Sequence, residues 1–296
     1  MEEDRREPTM TILVGTDGTD HGTAAVEWAA VEAQRRRTAL RIVHAFDWDW
    51  HESRFDIGNE YIDIGRHLAE AVVAEAYHRA RECGPDIDID TDTLIGHATP
   101  CLLEAARDAE LLVVGSRGRG GFAGLLLGSV SQRLASHAPC PVAVIRGHDV
   151  PGGPIIAGVD DSPAAERVLA AAFDEAAVQG CGLSVVRSLA PALPPWLADV
   201  RRADLLSPAD RAAELRRIED QLAPWRDKYP GVPVETVLTH DTAASSLVLG
   251  SRKSRLVVVG SRGHGTVRGS LLGALGTQLL HHAASPVLIV RGEVAP

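Results

Sequence analysis

Lysine is nearly absent from this chain: among 296 residues only Lys228 and Lys253 occur. Arginine carries the positive charge, and 40 acidic residues against 30 basic ones leave a net charge of −10. A duplex-binding surface needs a basic stripe that displaces counterions. The arginines here stand singly or in short groups such as 35–37 and 216–217, the pattern of solvated helix faces, so no nucleic-acid partner is expected. Cysteine is scarce too. Cys83, Cys101, Cys140 and Cys181 form no CxxC pair and no zinc spacing. They read as small core hydrophobes in a reducing compartment. No apolar run reaches the roughly 18 residues of a membrane span. The opening MEEDRREPT is polar and lacks the apolar stretch of a signal peptide. The expected location is cytoplasmic, with no membrane partner.

What is present is a repeat. Residues 111–147 and 256–292 align without gaps, with about half the positions identical. The starts of the halves match as well, with TILVGTDGT at 11–19 and IIAGVDDSP at 155–163. Duplication explains this, with domains over 1–147 and 154–296 and a Pro/Gly-rich joint (HDVPGGP) between them.

Within the first half, apolar runs at 11–16, 40–46, 87–95, 111–115 and 142–146 read as strands. Near-continuous Val/Ile/Leu runs suit parallel strands covered on both faces. Helical patterns lie at 22–37, 61–83, 100–108 and 129–137. The second half repeats the order, with strands at 155–159, 183–187, 234–239, 256–260 and 287–291. The order β-α-β-α-β-α-β-α-β predicts an α/β fold of two tandem, doubly wound, five-stranded parallel-sheet domains. Two long connections, 47–60 and 189–208, are expected over the carboxyl edges of the sheets, where ligands of such folds sit.

The chemistry is concentrated after the fourth strand. Gly115, Gly118, Gly128 and Ser129 form G-x2-G-x9-G-S, a loop that leaves a strand and reaches a helix start. Glycines let backbone N–H groups approach an anion closely. The helix start adds free N–H groups and a positive dipole end. Ser129 is expected to cap that helix and to donate its hydroxyl to a phosphate. Arg117 and Arg119 add cationic charge. Asp17 stands where the first strand delivers a side chain to the same edge, with a turn role open beside a ligand role. The simpler alternative is a structural loop with an ordinary serine cap.

A first-strand Asp combined with G-x2-G-x9-G-[ST] resembles the ATP-binding branch of the universal stress protein family, and the resemblance covers both halves. The tandem, Arg-rich form is similar to actinobacterial members. The resemblance implies that Asp17 contacts the adenosine end, with Thr16 beside it. It also implies that Ala45 offers its backbone to the adenine and that Val114 packs near the ribose and base. Gly115, Gly118, Gly128, Ser129 and Val130 would hold phosphates and ribose, with Arg117 in the same loop. The implied ligands are ATP and an accompanying Mg²⁺. No residue pair marks a protein metal site. In this family the last strand commonly pairs with that of another domain, which implies an intrachain pseudo-dimer and leaves room for a homodimer of tandems.

The second half keeps Asp160, Val259, Gly260, Gly263 and Gly273, but Ala274 replaces the serine, and Arg187 stands in place of His44. A hydroxyl–phosphate bond is worth roughly 1.5–3 kcal/mol, about 10- to 100-fold in affinity. The first site is expected to be the stronger. Other phosphate motifs fail. There is no G-x4-G-K-[ST], and the G-x-G-x-x-A match at 118–123 follows the wrong strand for a dinucleotide site. Ser116 and Ser129 have no triad partners, so no catalytic residue is assigned. His44 and His97 read as satisfied polar residues at the sheet edge. Three functions stay open at this point. They are an ATP-binding regulatory protein of the stress response, a slow ATPase or phosphotransferase, and a nucleotide-free interaction scaffold with an unknown downstream partner.

Overall fold

The computed structural model describes residues 11–46, 60–119, 126–148, 150–189, 207–262 and 272–291, with the side chains of 60–64 excepted. Two compact units result, Met1–Arg146 and Gly147–Pro296. Residues 47–59 and 190–206 of the long connections, and Gly263, lie outside the described residues.

In the first unit the strands are β1 (Thr11–Gly15), β2 (Ala39–Phe46), β3 (Ile89–Ile95), β4 (Leu111–Gly115) and β5 (Val142–Ile145). All pairs are parallel, in the order β3-β2-β1-β4-β5. The β1 residues Ile12, Leu13 and Val14 are buried, as are all of Leu111–Gly115. Burial on both faces is why these segments read as unbroken apolar runs rather than alternating ones. Each of these Val, Leu and Ile side chains contributes about 1.5–3 kcal/mol against exposure. The chain winds one way from β1 to β3 and the other way from β4 to β5. The order therefore reverses between β1 and β4, and a crevice forms at the carboxyl ends of those two strands.

The helices are α1 (Asp20–Arg36), α2 (Glu60–Cys83), α3 (Ala98–Ala105) and α4 (Ser129–His137). α1 turns Ala25, Val26, Ala29, Ala30 and Ala33 inward, a small-residue stripe that lets it lie close on the sheet. It starts two residues before its apolar pattern because Thr19 is its N-cap, accepting from Gly22 N. It ends at Arg37, whose φ of 54° is left-handed and whose N–H reaches back to Ala33 and Gln34. α3 likewise starts ahead of Pro100, since a first-turn position needs no N–H.

The second unit repeats the plan. Its strands are β6 (Ile155–Gly158), β7 (Leu183–Ser188), β8 (Val234–Thr239), β9 (Leu256–Gly260) and β10 (Val287–Val290), in the order β8-β7-β6-β9-β10. Its helices are α5 (Ala164–Val178), α6 (Pro208–Lys228), α7 (Ala243–Gly250) and α8 (Ala274–His282). A capping box between Ser207 and Asp210 starts α6. The segment after Arg146 is tied to this unit: His148 N donates to Ala284 O at 3.0 Å and Val150 N to Ser254 O at 3.3 Å.

Candidate functional site

The end of β1 is held by its own side chains. Thr16 is buried; its N–H donates to Val43 O at 3.0 Å, and its Oγ1 accepts from Gly18 N at 3.2 Å. The carbonyl of Thr16 accepts from His44 Nδ1 at 2.7 Å. A carbonyl only accepts, so the His44 proton sits on Nδ1. His44 is thus a satisfied, buried polar residue at the sheet edge. Gly18 takes φ +76°, the left-handed turn that carries the chain from β1 to α1.

Asp17 joins the two halves of the edge. Its Oδ1 accepts from Thr19 N at 3.1 Å and Thr19 Oγ1 at 2.7 Å, an Asx turn that fixes the carboxylate. Its Oδ2 accepts from Arg119 N at 2.8 Å. One carboxylate therefore ties the β1 loop to the glycine loop after β4. The close approach requires glycine at 118, because a Cβ there would lie 2.5 Å from Asp17 Oδ2.

The glycine loop is anchored at both ends. Ser116 N donates to Ile145 O at 2.9 Å, and Gly128 N donates to Ser116 O at 2.8 Å. The second bond folds the loop back so that α4 begins beside the strand it left. A Cβ on Gly115 would lie 2.5 Å from His21 O. Ser131 Oγ, buried, donates to Gly115 O at 2.6 Å and pins the first turn of α4 to the end of β4. Ser129 is not the cap that the sequence suggested. Gly128 takes the N-cap position, with no side-chain bond, and Ser129 is the first helical residue, exposed. The bond from Gly128 N to Ser116 O sets the helix start one residue earlier. The first intrahelical bond runs from Gln132 N to Gly128 O at 3.1 Å, so the N–H groups of Ser129 and Val130 come before the helical ladder. Val114 is 4% exposed, so its side chain lies under the edge rather than on it.

Sequence and structure comparisons match this architecture throughout. The profile of the universal stress protein family matches residues 8–146 and again 153–291. Universal stress protein Rv2005c of Mycobacterium tuberculosis (strain ATCC 25618 / H37Rv) is 36% identical over 299 residues, covering 95% of this chain and 96% of its own. Universal stress protein Rv2623 of the same strain is 34% identical over 296 residues, covering 96% and 97%. The crystal structure of a universal stress protein from Archaeoglobus fulgidus DSM 4304 superposes with a TM-score of 0.71 at 19% identity, over 95% of this chain and 98% of that one. The chain belongs to the universal stress protein family. It carries two such domains in tandem.

The second universal stress protein unit keeps the backbone frame and changes the side chains. Ser261 N donates to Val290 O at 2.8 Å, Gly273 N to Ser261 O at 2.8 Å, and Thr277 N to Gly273 O at 3.1 Å. These are the bonds of the first unit at equivalent positions. Asp160 Oδ1 accepts from Ser162 N at 3.0 Å and from Ser162 Oγ, the same Asx turn. Val259 is buried, as Val114 is. The first helical residue, Ala274, is exposed and has no hydroxyl. Arg187 differs most from its counterpart. Its side chain is 4% exposed and pairs with Asp161 and Glu214, while Nη1 donates to Gln221 Oε1 at 3.0 Å. Where the first unit has one imidazole on a carbonyl, the second has a guanidinium locked to the β6 loop and to α6.

Sequence reasoning missed Thr19, Ser131 and the Arg119 N–H. Thr19 carried a signal, since D-x-[ST] recurs as Asp160-Asp161-Ser162. No helix of the described residues is long and apolar enough to cross a membrane. The described residues contain no group of three or more His, Cys, Asp or Glu side chains that could hold a metal ion.

Proposed function

We propose that this universal stress protein binds ATP at the carboxyl edge of its first unit and acts as a nucleotide-dependent regulator in the stress response. The observation that carries the reading is the bond from Arg119 N to Asp17 Oδ2. It holds a fixed carboxylate and a glycine loop ending at a helix N-terminus on either side of the β1/β4 crevice. A nucleotide needs these two kinds of group. The carboxylate accepts from hydroxyl or amino hydrogens of the adenosine. The N–H groups at the start of α4 and the dipole end favour phosphate.

The residues take separate parts. Asp17, with Thr16 beneath it, orients the nucleoside, and the backbone of Ala45 at the end of β2 faces the base. Gly128 leaves room for phosphate oxygens to reach the start of α4, Gly115 and Gly118 let His21 and the Asp17 carboxylate pack close behind the loop, and Ser129, exposed at the first helical position, donates its hydroxyl. A Mg²⁺ arriving with the triphosphate would neutralise part of its charge, and among the described residues no group of three or more His, Cys, Asp or Glu side chains stands ready to hold it. The second unit offers the same backbone frame without the Ser129 hydroxyl and with Arg187 at the base edge, so its site is weaker. Because ATP is held by groups that bind and orient, its role is to set the conformation of the edge rather than to be turned over.

Chromatography of nucleotide released from the freshly purified, acid-denatured chain tests the proposal. ATP in the extract, absent from Asp17→Ala protein of unchanged thermal stability, supports it. An extract empty of nucleotide, from a chain that also fails to take up added ATP, overturns it.

A further inference from the structure

Two arginines emerge from neighbouring points of the first unit's carboxyl edge, and the glycine motif includes only one. Arg117 follows β4 and Arg146 follows β5. These strands pair with Gly115 opposite Ile145, and Ser116 N donates to Ile145 O at 2.9 Å. The same Ser116 accepts from Gly128 N at 2.8 Å, and the Cβ position of Gly128 lies 3.5 Å from Arg117 Cα. Ser116 is thus the hub around which Arg117, Arg146 and the start of α4 are gathered.

Their charges act on each other. Burial pushes the Arg146 guanidinium below its usual range, and the Arg117 charge pushes it the same way. Arg117 is exposed and Arg146 half-buried. Like charges at one edge repel each other, and an anion shared by the two guanidiniums is attracted by both. Arg119 does not share this position, since its Nη2 lies 3.2 Å from the Cβ position of Gly18, over the β1 loop. The frame recurs in the second unit. Arg262 and Arg291 follow β9 and β10, with Ser261 N on Val290 O and Gly273 N on Ser261 O, both at 2.8 Å. The arginine pair is therefore kept where the Ser129 hydroxyl is not.

We propose that Arg117 and Arg146 form a guanidinium clamp on the terminal phosphates, so that the first site selects a nucleoside polyphosphate over a monophosphate. The planar fork of each guanidinium can hold two phosphate oxygens at once. The clamp rests on the adenine-nucleotide reading and names the part of the ligand that is selected.

Calorimetry of the nucleotide-stripped full chain with ATP, AMP and inorganic tripolyphosphate, at constant Mg²⁺, tests it beside R146Q and R146K. The unaltered chain is expected to prefer ATP to AMP. R146Q should lose about 10- to 100-fold for ATP and for tripolyphosphate while its AMP affinity stays the same. R146K keeps the charge and the packing of the stem but not the fork, and should fall between the two with an unchanged unfolding midpoint. Equal loss for ATP and AMP, or no loss for either, overturns the clamp. ATP and AMP binding alike to the unaltered chain removes the clamp and leaves the adenine site standing. Tripolyphosphate binding without AMP binding leaves the clamp and removes the adenine site. Binding of none of the three removes both.

Discussion

Gly118 and Asp17 are built around each other: the Cβ that Gly118 lacks would lie 2.5 Å from Asp17 Oδ2, the oxygen that accepts from Arg119 N. A Gly118→Ala variant therefore moves the carboxylate as well as filling space in the loop. We expect it to weaken ATP by about tenfold or more, the scale of a lost charged hydrogen bond. Gly118→Ala and Asp17→Ala should be less than additive in a double-mutant cycle, because both break one bridge. Additive losses measured by calorimetry would separate the two residues.

The glycines of the motif do different jobs. A Cβ on Gly115 would strike the backbone of His21 at 2.5 Å, whereas the nearest atom to one on Gly128 is 3.5 Å away, and Gly128 has an ordinary φ of −79°. Gly115→Ala should destabilise the first unit by about 1–3 kcal/mol in urea unfolding. Gly128→Ala should lower the urea midpoint only slightly, by the ~1 kcal/mol that separates glycine from alanine at an N-cap, and lose nucleotide well beyond that, since the added methyl would stand on the proposed phosphate side of the helix start. The reverse pattern would mean that Gly128 is structural.

Ser131 is a structural residue within the site. Removing its hydroxyl leaves Gly115 O without the 2.6 Å bond that holds α4 to β4. Ser131→Ala should cost about 1–3 kcal/mol, read from chemical denaturation, and loosen ATP in proportion. An unchanged midpoint would remove this anchor from the account.

Arg187 is the counterpart of His44 and should behave unlike it. Breaking a buried ion pair by removing one partner costs about 3–5 kcal/mol. Arg187 is nearly enclosed and Glu214 is 14% exposed, whereas Asp161 is half exposed, so the lower end is expected for Arg187→Met, with the loss confined to the second unit. Limited proteolysis that cuts α6 faster in the variant, and leaves the first unit intact, would bear this out. Uniform loosening of both units would not.

Much of this was legible in the residues. The unbroken run Leu111–Gly115 and its copy Leu256–Gly260 marked buried parallel strands because burial on both faces suppresses alternation. The glycine spacing marked a strand-to-loop-to-helix passage because close backbone approach leaves no room for Cβ at 115 or 118. Helix starts were less legible. At 129 the sequence offered serine, the usual cap, but a long-range backbone bond from Gly128 N to Ser116 O gave the cap position to glycine. The bridge from Asp17 to Arg119 N joins a side chain to a backbone group 102 positions away, and no local pattern records such a bond.

The most direct test is titration calorimetry of the nucleotide-stripped chain with ATP and Mg²⁺, beside Ala274→Ser. One tight site per chain is expected, and a second that gains about 10- to 100-fold when the hydroxyl is restored. No heat from either protein would contradict the nucleotide reading. Two equal sites in the unaltered chain would contradict the inequality between the units.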